Sequence, residues 1–125
     1  MKILVVDDET DVQVLFEQRF RKEIKNGEMA FAFAYSGEEA LAFLKLHSSE
    51  AVLILSDINM PGMSGLQLLE NIKKHFLKPP PVVMMITAYG DDENYRTAMR
   101  LGADDFLTKP VDFISLREKL KTLVS

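Results

Sequence analysis

The sequence of 125 residues contains no cysteine and no tryptophan, and it has only five prolines and six glycines. The lack of cysteine excludes disulfide bonds and metal sites with thiolate ligands. Long apolar runs are scarce, and the longest one near the N-terminus, Ile3–Val6, is too short for a signal peptide or a membrane span. We therefore expect a cytoplasmic protein that does not enter a membrane.

Concentrated positive charge is missing as well. Fifteen Lys and Arg residues and nineteen Asp and Glu residues are mixed along the chain and give a net charge of −4. Without a basic tail or stripe, the sequence argues against direct nucleic-acid binding. The 47% apolar and 27% charged fractions are typical of globular proteins, and the length predicts one domain, residues 1–125.

Five short apolar runs predict β-strands. They are Ile3–Val6, Met29–Tyr35, Val52–Ser56, Val82–Ile86 and Asp105–Leu107. The third and fourth runs are continuously apolar, which is typical of central parallel strands covered on both faces. The second alternates alanine with phenylalanine, so we expect an edge strand that packs its rings on one side.

Helical patterns separate these strands and predict five helices. Polar residues at capping spacing mark their starts: Thr10 with Gln13, Ser36 with Glu39, Ser64 with Gln67, and Asp112 after Pro110. The first helix is expected to run from Val12 to Ile24, and Gly102 to end the fourth. Strands and helices alternate, which predicts an α/β fold with a parallel sheet and helices on both faces.

Polar side chains gather where the predicted strands end. Asp7 and Asp8 follow the first strand, Asp57 the third and Thr87 the fourth, and Lys109 lies just beyond the fifth. Each residue alone is also typical of a structural role, such as a helix cap or a turn. A parallel sheet, however, places all of them at its carboxyl edge, where such folds bind ligands. A single site explains them together.

The charges at this edge require compensation. Two carboxylates about 4 Å apart repel by roughly 4 kcal/mol at an effective dielectric constant near 20, and Lys109 supplies one positive charge. Oxygen ligands without histidine or cysteine favour a hard cation, and so few carboxylates suit Mg²⁺ better than Ca²⁺. The sequence therefore predicts a Mg²⁺ site.

Four motifs carry a family resemblance: ILVVDDE, LILSDINMPGMSGLQLL, VVMMITAYG and GADDFLTKP. With them the chain resembles, over essentially its whole length, the receiver domain of two-component response regulators, in particular the chemotaxis-regulator type. The resemblance implies a doubly wound, flavodoxin-like sheet of five parallel strands in the order 2-1-3-4-5 with five helices. It also implies a phosphorylation-controlled signalling switch and not a turnover enzyme.

The resemblance assigns roles to the residues at the sheet edge. Asp57 is the phospho-acceptor, which takes a phosphoryl group from a histidine kinase in a Mg²⁺-dependent reaction and later loses it by autodephosphorylation. The implied Mg²⁺ ligands are Asp7, Asp8, Asp57 and the backbone carbonyl of Asn59. Thr87 and Lys109 are expected to bind the phosphoryl group.

Further positions concern switching. Phe106 stands where the family more often has tyrosine, and its rotamer is expected to follow Thr87. Tyr89 is hypothesised to shield the acyl phosphate from water. The Lys109–Pro110 peptide bond resembles one that is cis in the family.

The resemblance also implies partners. A histidine kinase or a phosphotransfer protein is the expected donor. An output domain or a target protein is expected to contact the face formed by the fourth helix, fifth strand and fifth helix, which is also the expected surface of a phosphorylation-dependent homodimer. No output domain is visible within residues 1–125.

Two other classes of protein are alternatives to a signalling switch. An aspartate-nucleophile phosphohydrolase of the haloacid-dehalogenase type needs a second aspartate two residues after the nucleophile, but the chain has Asn59 there. A flavodoxin-like flavin-binding protein needs a phosphate-binding loop rich in glycine and hydroxyl groups after the first strand. The chain has Asp7, Asp8 and Glu9, which would repel phosphate.

Overall fold

Five strands form one parallel sheet in a computed structural model that describes residues 1–47, 50, 52–76, 81–88 and 90–124. They are β1 (Lys2–Val6), β2 (Ala30–Ala34), β3 (Val52–Asp57), β4 (Val82–Thr87) and β5 (Asp105–Thr108). Their order is β2-β1-β3-β4-β5, and every neighbouring pair is parallel. The predicted doubly wound α/β fold is confirmed, with the alternating Ala/Phe strand β2 at an edge.

Six helices accompany the strands in the described chain, five between strands and one after β5. They are α1 (Val12–Arg19), α2 (Arg21–Lys25), α3 (Gly37–Leu46), α4 (Gly65–His75), α5 (Asp92–Arg100) and α6 (Phe113–Val124). The prediction of five helices was wrong in one place, because the first predicted helix divides at Phe20. The Phe20 ring is completely buried and stacks near Phe16 and Phe31. Tertiary packing therefore overrides the local helical pattern there.

Most of the predicted helix ends are confirmed. Ser64 and Gln67 form a reciprocal capping box at the start of α4, and the Ser36 hydroxyl accepts the backbone N–H of Glu39 in α3. Gly102 follows α5 with a φ of +100°, a left-handed conformation that glycine adopts without steric cost. These local devices fix where the chain leaves each helix.

The predicted capping box of Thr10 and Gln13 was wrong. The N-cap of α1 is Asp11, and no side chain caps that helix. Tyr35 directly follows β2, and its hydroxyl donates a hydrogen bond of 2.8 Å to the side-chain oxygen of Gln13. A contact between distant segments has replaced the local one.

The apolar core lies on both faces of the sheet because neighbouring residues of a strand point to opposite sides. In β1, Leu4 and Val6 join the cluster under α3, α4 and α5, whereas Ile3 and Val5 join the one under α1 and α6. All four side chains are at most 1% exposed. Burial of each such side chain contributes about 1.5–3 kcal/mol, so the central strands hold the carboxyl edge in place.

A buried ion pair joins α2 to α6. The Glu23 carboxylate accepts a 2.5 Å hydrogen bond from Nε of Arg117, whose Nη2 also donates to the carbonyl oxygen of Arg19. Burial raises the pKa of Glu23, but the hydrogen bond and charge of Arg117 outweigh burial and hold that pKa below its ordinary value. Ionised Glu23 therefore stabilises the folded protein.

We expect Glu23→Gln to lower the free energy of unfolding near neutral pH by about 2 kcal/mol, because the glutamine oxygen can still accept from Arg117 but the negative charge that strengthens this hydrogen bond is lost. Since the pKa of folded Glu23 is lowered, its contribution is complete above the ordinary glutamate pKa and disappears as the pH falls through the folded value. Urea unfolding of both proteins over this pH range checks the prediction. A difference that grows at acid pH would contradict it.

Among the described residues, each helix falls short of the length or the apolar character that crossing a bilayer requires.

Candidate functional site

Three carboxylates meet at the carboxyl edge of the sheet. Val6 and Ser56 are partners in the register of β1 and β3, so the next residues, Asp7 and Asp57, leave the sheet side by side. Together with Asp8 they place one carboxylate oxygen each within 4.8 Å of one another. We call these three residues the carboxylate cluster. Asp57 is buried, Asp7 is half-buried and Asp8 is exposed, so the cluster opens to solvent on one side.

Lys109 reaches the cluster from the segment after β5. Its Nζ donates to Oδ2 of Asp57 at 3.1 Å, and the Asp57 side chain is 4% exposed. Desolvation lowers the pKa of Lys109, but the hydrogen bond and charge of Asp57, with smaller contributions from Asp7 and Glu9, raise it overall. Lys109 therefore remains a cation beside Asp57 at neutral pH.

One lysine does not remove the crowding of negative charge. Burial raises the pKa of Asp7, opposed by a backbone hydrogen bond from Glu9, and the negative charge of Asp57 raises it further. The Glu9 N–H lies 3.0 Å from Oδ1 of Asp7. A carboxyl group whose ionised form is disfavoured in this way gains stability from an additional cation.

Two buried oxygens in the described part of the chain have no hydrogen-bond partner: Oδ1 of Asp57 and Oγ1 of Thr87. Leaving such a group unsatisfied costs about 1–3 kcal/mol. Both are at the ends of neighbouring strands, because Ile86, which precedes Thr87, is the register partner of Asp57. Their shared position at the carboxyl edge of the sheet is typical of a ligand-binding site.

The remaining predicted site residues lie around this centre. Asn59 is exposed in the segment between β3 and α4, and Phe106 is half-buried on β5, where its ring contacts Tyr95 of α5. The Lys109–Pro110 bond is cis, as the resemblance implied. The hypothesis about Tyr89 concerns a position outside the described residues.

Gly65 supports the site, although sequence reasoning did not single it out. Its backbone N–H donates to the carbonyl oxygen of Ile58 at 2.8 Å. A Cβ atom at Gly65 would overlap the carbonyl oxygen of Asp57 and lie 2.7 Å from Cα of Ile58. The signal was present, because glycine in the first turn of a helix is costly and directly follows the capping residue Ser64.

Fold and site together define a doubly wound α/β protein with a carboxylate cluster and a lysine at the carboxyl edge of its sheet. The sequence model of the response regulator receiver domain matches residues 3–121. The chain therefore belongs to the receiver domain family of two-component response regulators.

Individual relatives agree with this assignment. The chain is 39% identical to the response regulator protein PilR of Pseudomonas aeruginosa over 97% of its own length and 25% of PilR. It is 32% identical to the response regulator RppA of Synechocystis over 98% of its length and 50% of RppA. It thus spans half or less of these two curated relatives.

A solved structure is similar throughout. The putative response regulator from Chloroflexus aurantiacus has a TM-score of 0.82 and 29% sequence identity, and the match covers 98% of this chain and 95% of that one.

Proposed function

We propose that residues 1–125 act as one phosphorylation-controlled switch in which Asp57 accepts a phosphoryl group. The observation that carries this proposal is the environment of Asp57, whose Oδ2 accepts a hydrogen bond from Lys109 while its buried Oδ1 has no partner among the described residues. A free, fixed carboxylate oxygen next to a cation is suited to in-line attack on phosphorus. The other two acids of the cluster are less suited to this attack than Asp57. Oδ1 of Asp7 already accepts a hydrogen bond from the Glu9 N–H, and Asp8 is exposed.

The expected donor is a phosphohistidine of a histidine kinase or a phosphotransfer protein. Oδ1 of Asp57 forms a bond to phosphorus while the phosphorus–nitrogen bond breaks, and the imidazole nitrogen leaves with the electron pair. Lys109 holds Asp57 and balances part of the negative charge. The Thr87 hydroxyl, which has no hydrogen-bond partner in the part of the chain that the structure describes, then donates to a phosphoryl oxygen.

The carboxylate cluster fits a Mg²⁺ ion. Its donors are all oxygen atoms, and they lie within 4.8 Å of one another. Burial and, to a smaller extent, the negative charge of Asp57 raise the pKa of Asp7, so a cation there would stabilise its ionised form. Asp7, Asp8, Asp57 and the carbonyl oxygen of Asn59 would hold the ion. When bound, Mg²⁺ would neutralise part of the negative charge on the phosphoryl oxygens.

Intact-mass measurement after incubation with acetyl phosphate and Mg²⁺ tests the proposed function. We expect one phosphoryl group per chain, with its signal decaying after the donor is removed. Continuous release of phosphate far beyond one equivalent per chain, at a rate unrelated to this decay, would favour the phosphohydrolase alternative. Absence of any adduct would contradict phosphoryl acceptance itself.

We expect Mg²⁺ to raise the melting temperature of the protein. At tenfold excess over its dissociation constant an ion that binds only the folded state adds about 1.4 kcal/mol, which corresponds to a shift of a few degrees. Asp8→Asn removes one ligand and should reduce the shift. Differential scanning calorimetry with and without Mg²⁺ checks this, with Glu17→Gln as the charge-matched control, because Glu17 is exposed on α1. A wild-type melting temperature that does not change when Mg²⁺ is added would rule out the proposed Mg²⁺ site.

The face formed by α5, β5 and α6 is the proposed contact surface for an output domain, a target protein or a second phosphorylated copy. It corresponds to the fourth helix, fifth strand and fifth helix of the sequence prediction. Met99 on α5 is 41% exposed and Ile114 on α6 is 70% exposed, so a partner on this face would cover these two apolar side chains.

The names of longer relatives suggest what kind of output such a receiver domain controls. ZraR of Salmonella typhimurium is named a transcriptional regulatory protein, and the chain matches 25% of its length. The expectation of no direct nucleic-acid contact is therefore limited to residues 1–125, and control of transcription through a further domain is compatible with the proposed switch.

A further inference from the structure

The ring of Phe106 is in contact with a tyrosine on a different element. Tyr95 on α5 places its ring centroid 4.1 Å from that of Phe106, with 35° between the ring planes. The backbone of Phe106 is anchored separately, since its N–H donates to Oδ1 of Asp105 at 2.8 Å, and Oδ2 of Asp105 accepts from Lys119 of α6 at 2.9 Å. The ring of Phe106 can therefore change its contacts while its backbone stays in place.

Phe106 and Thr87 lie on the same face of the sheet. Met85 and Phe106 are register partners in β4 and β5, so their side chains point to the same side, and Thr87 follows Met85 by two residues and shares that side. The Thr87 hydroxyl is buried and has no hydrogen-bond partner within the described ranges of the chain. When it turns toward a phosphoryl group on Asp57, it moves within the layer that contains the Phe106 ring.

We propose that Tyr95 is a positioning residue that holds Phe106 in its resting place and thereby sets how readily the domain switches. This inference rests on the proposed function of Asp57. It also rests on the rotamer change of Phe106 that the family resemblance implies, because a Phe106 ring that turns toward Thr87 would leave the ring of Tyr95, whose centroid is 4.1 Å away. A contact that exists in the resting state and is lost in the switched state opposes switching, because it stabilises only one of the two.

Beryllofluoride with Mg²⁺, a mimic of a phosphoryl group on a carboxylate, provides the measurement. We expect Tyr95→Ala to bind the mimic about two- to tenfold more tightly than the wild type, the range expected when one aromatic pair is removed. Tyr95→Phe keeps the ring and loses only the hydroxyl, so it should bind like the wild type. Circular dichroism verifies folding, and Tyr95→Leu replaces Tyr95→Ala if the alanine variant does not fold.

A second measurement separates positioning from a general structural effect. In a Thr87→Ala background the gain from Tyr95→Ala should disappear, since the coupling runs through the threonine. The NMR signal of ¹³C-labelled Phe106, assigned with Phe106→Leu, should move on addition of the mimic. In Tyr95→Ala without mimic, that signal should already be displaced in the same direction.

Three results would overturn the inference while leaving the proposed function standing: equal mimic affinity of Tyr95→Ala and the wild type, a Tyr95→Phe variant that behaves like Tyr95→Ala, or a gain that persists in Thr87→Ala. A wild-type protein that fails to bind the mimic with Mg²⁺ would instead overturn the proposed function, and this inference with it.

Discussion

Asp57→Asn is expected to abolish the acyl phosphate completely. The substitution keeps the size of the side chain and leaves an oxygen that can accept the hydrogen bond from Lys109, which is 3.1 Å long in the wild type. The fold should therefore persist. The carboxamide, however, is not a nucleophile toward phosphorus at neutral pH. Intact-mass measurement after treatment with acetyl phosphate and Mg²⁺ should show the unmodified mass only.

The neighbouring acids should not take over this reaction. Asp7 has one oxygen engaged by the Glu9 N–H and a pKa that burial raises, while Asp8 is exposed and held in no fixed position by a described hydrogen bond. The loss in Asp57→Asn should therefore be an absence of product and not a slower reaction.

Two controls make this result specific. Asp8→Asn keeps the nucleophile and removes one candidate Mg²⁺ ligand, so phosphorylation should slow down and still reach one group per chain at high Mg²⁺. Glu17→Gln makes the same chemical change on an exposed part of α1 and should react like the wild type. A phosphoryl group on Asp57→Asn would show that another residue is the acceptor.

Gly65→Ala is expected to destabilise the protein by about 3 kcal/mol or more, at the upper end for overpacking. The added methyl group would overlap the carbonyl oxygen of Asp57 and lie 2.7 Å from Cα of Ile58. Both obstacles are backbone atoms of the segment that carries the phospho-acceptor. The start of α4 must move away from β3, so the acylation rate at Asp57 should fall as well.

Gly37 offers a matched comparison because it is also the first residue of a helix, α3. A Cβ atom there would meet only the side chain of Met63, whose Sδ would be 2.7 Å away, and a flexible methionine can move aside. We expect Gly37→Ala to cost about 1 kcal/mol or less. Urea unfolding and acetyl phosphate kinetics of both variants check this. Equal effects of the two substitutions would show that the contact with Asp57 is not decisive.

Much of the site followed from residue types at strand ends. Asp7, Asp57, Thr87 and Lys109 were placed together because parallel strands share a carboxyl edge, and the structure brings the two aspartates and the lysine into direct proximity. The crowding of negative charge was also foreseen, and it appears as three carboxylates within 4.8 Å of one another; it adds to burial in raising the pKa of Asp7. These features depend on the alternation of strand and helix, which the pattern of apolar runs predicts, and on the chemistry of the residues at the strand ends.

Other features depended on partners far along the chain. The break in the first helix follows from the burial of Phe20, and Gln13 bonds to Tyr35 instead of capping α1. The ring of Tyr95 lies against Phe106, a contact that helical spacing did not reveal. In each case a local pattern had more than one acceptable outcome, and packing against another element selected one.

The caps of α3 and α4 and the set of acids at the strand ends were determined by the sequence itself, since each depends on neighbours in the chain or on the alternation of strand and helix, whereas the strand order was implied by the family resemblance. Tertiary structure alone decided that, within the described part of the chain, Oδ1 of Asp57 and Oγ1 of Thr87 lack partners, that Gly65 must have no side chain, and that Tyr95 meets Phe106. These depend on distances of a few ångströms between separate elements, which are fixed only when the core excludes every looser arrangement.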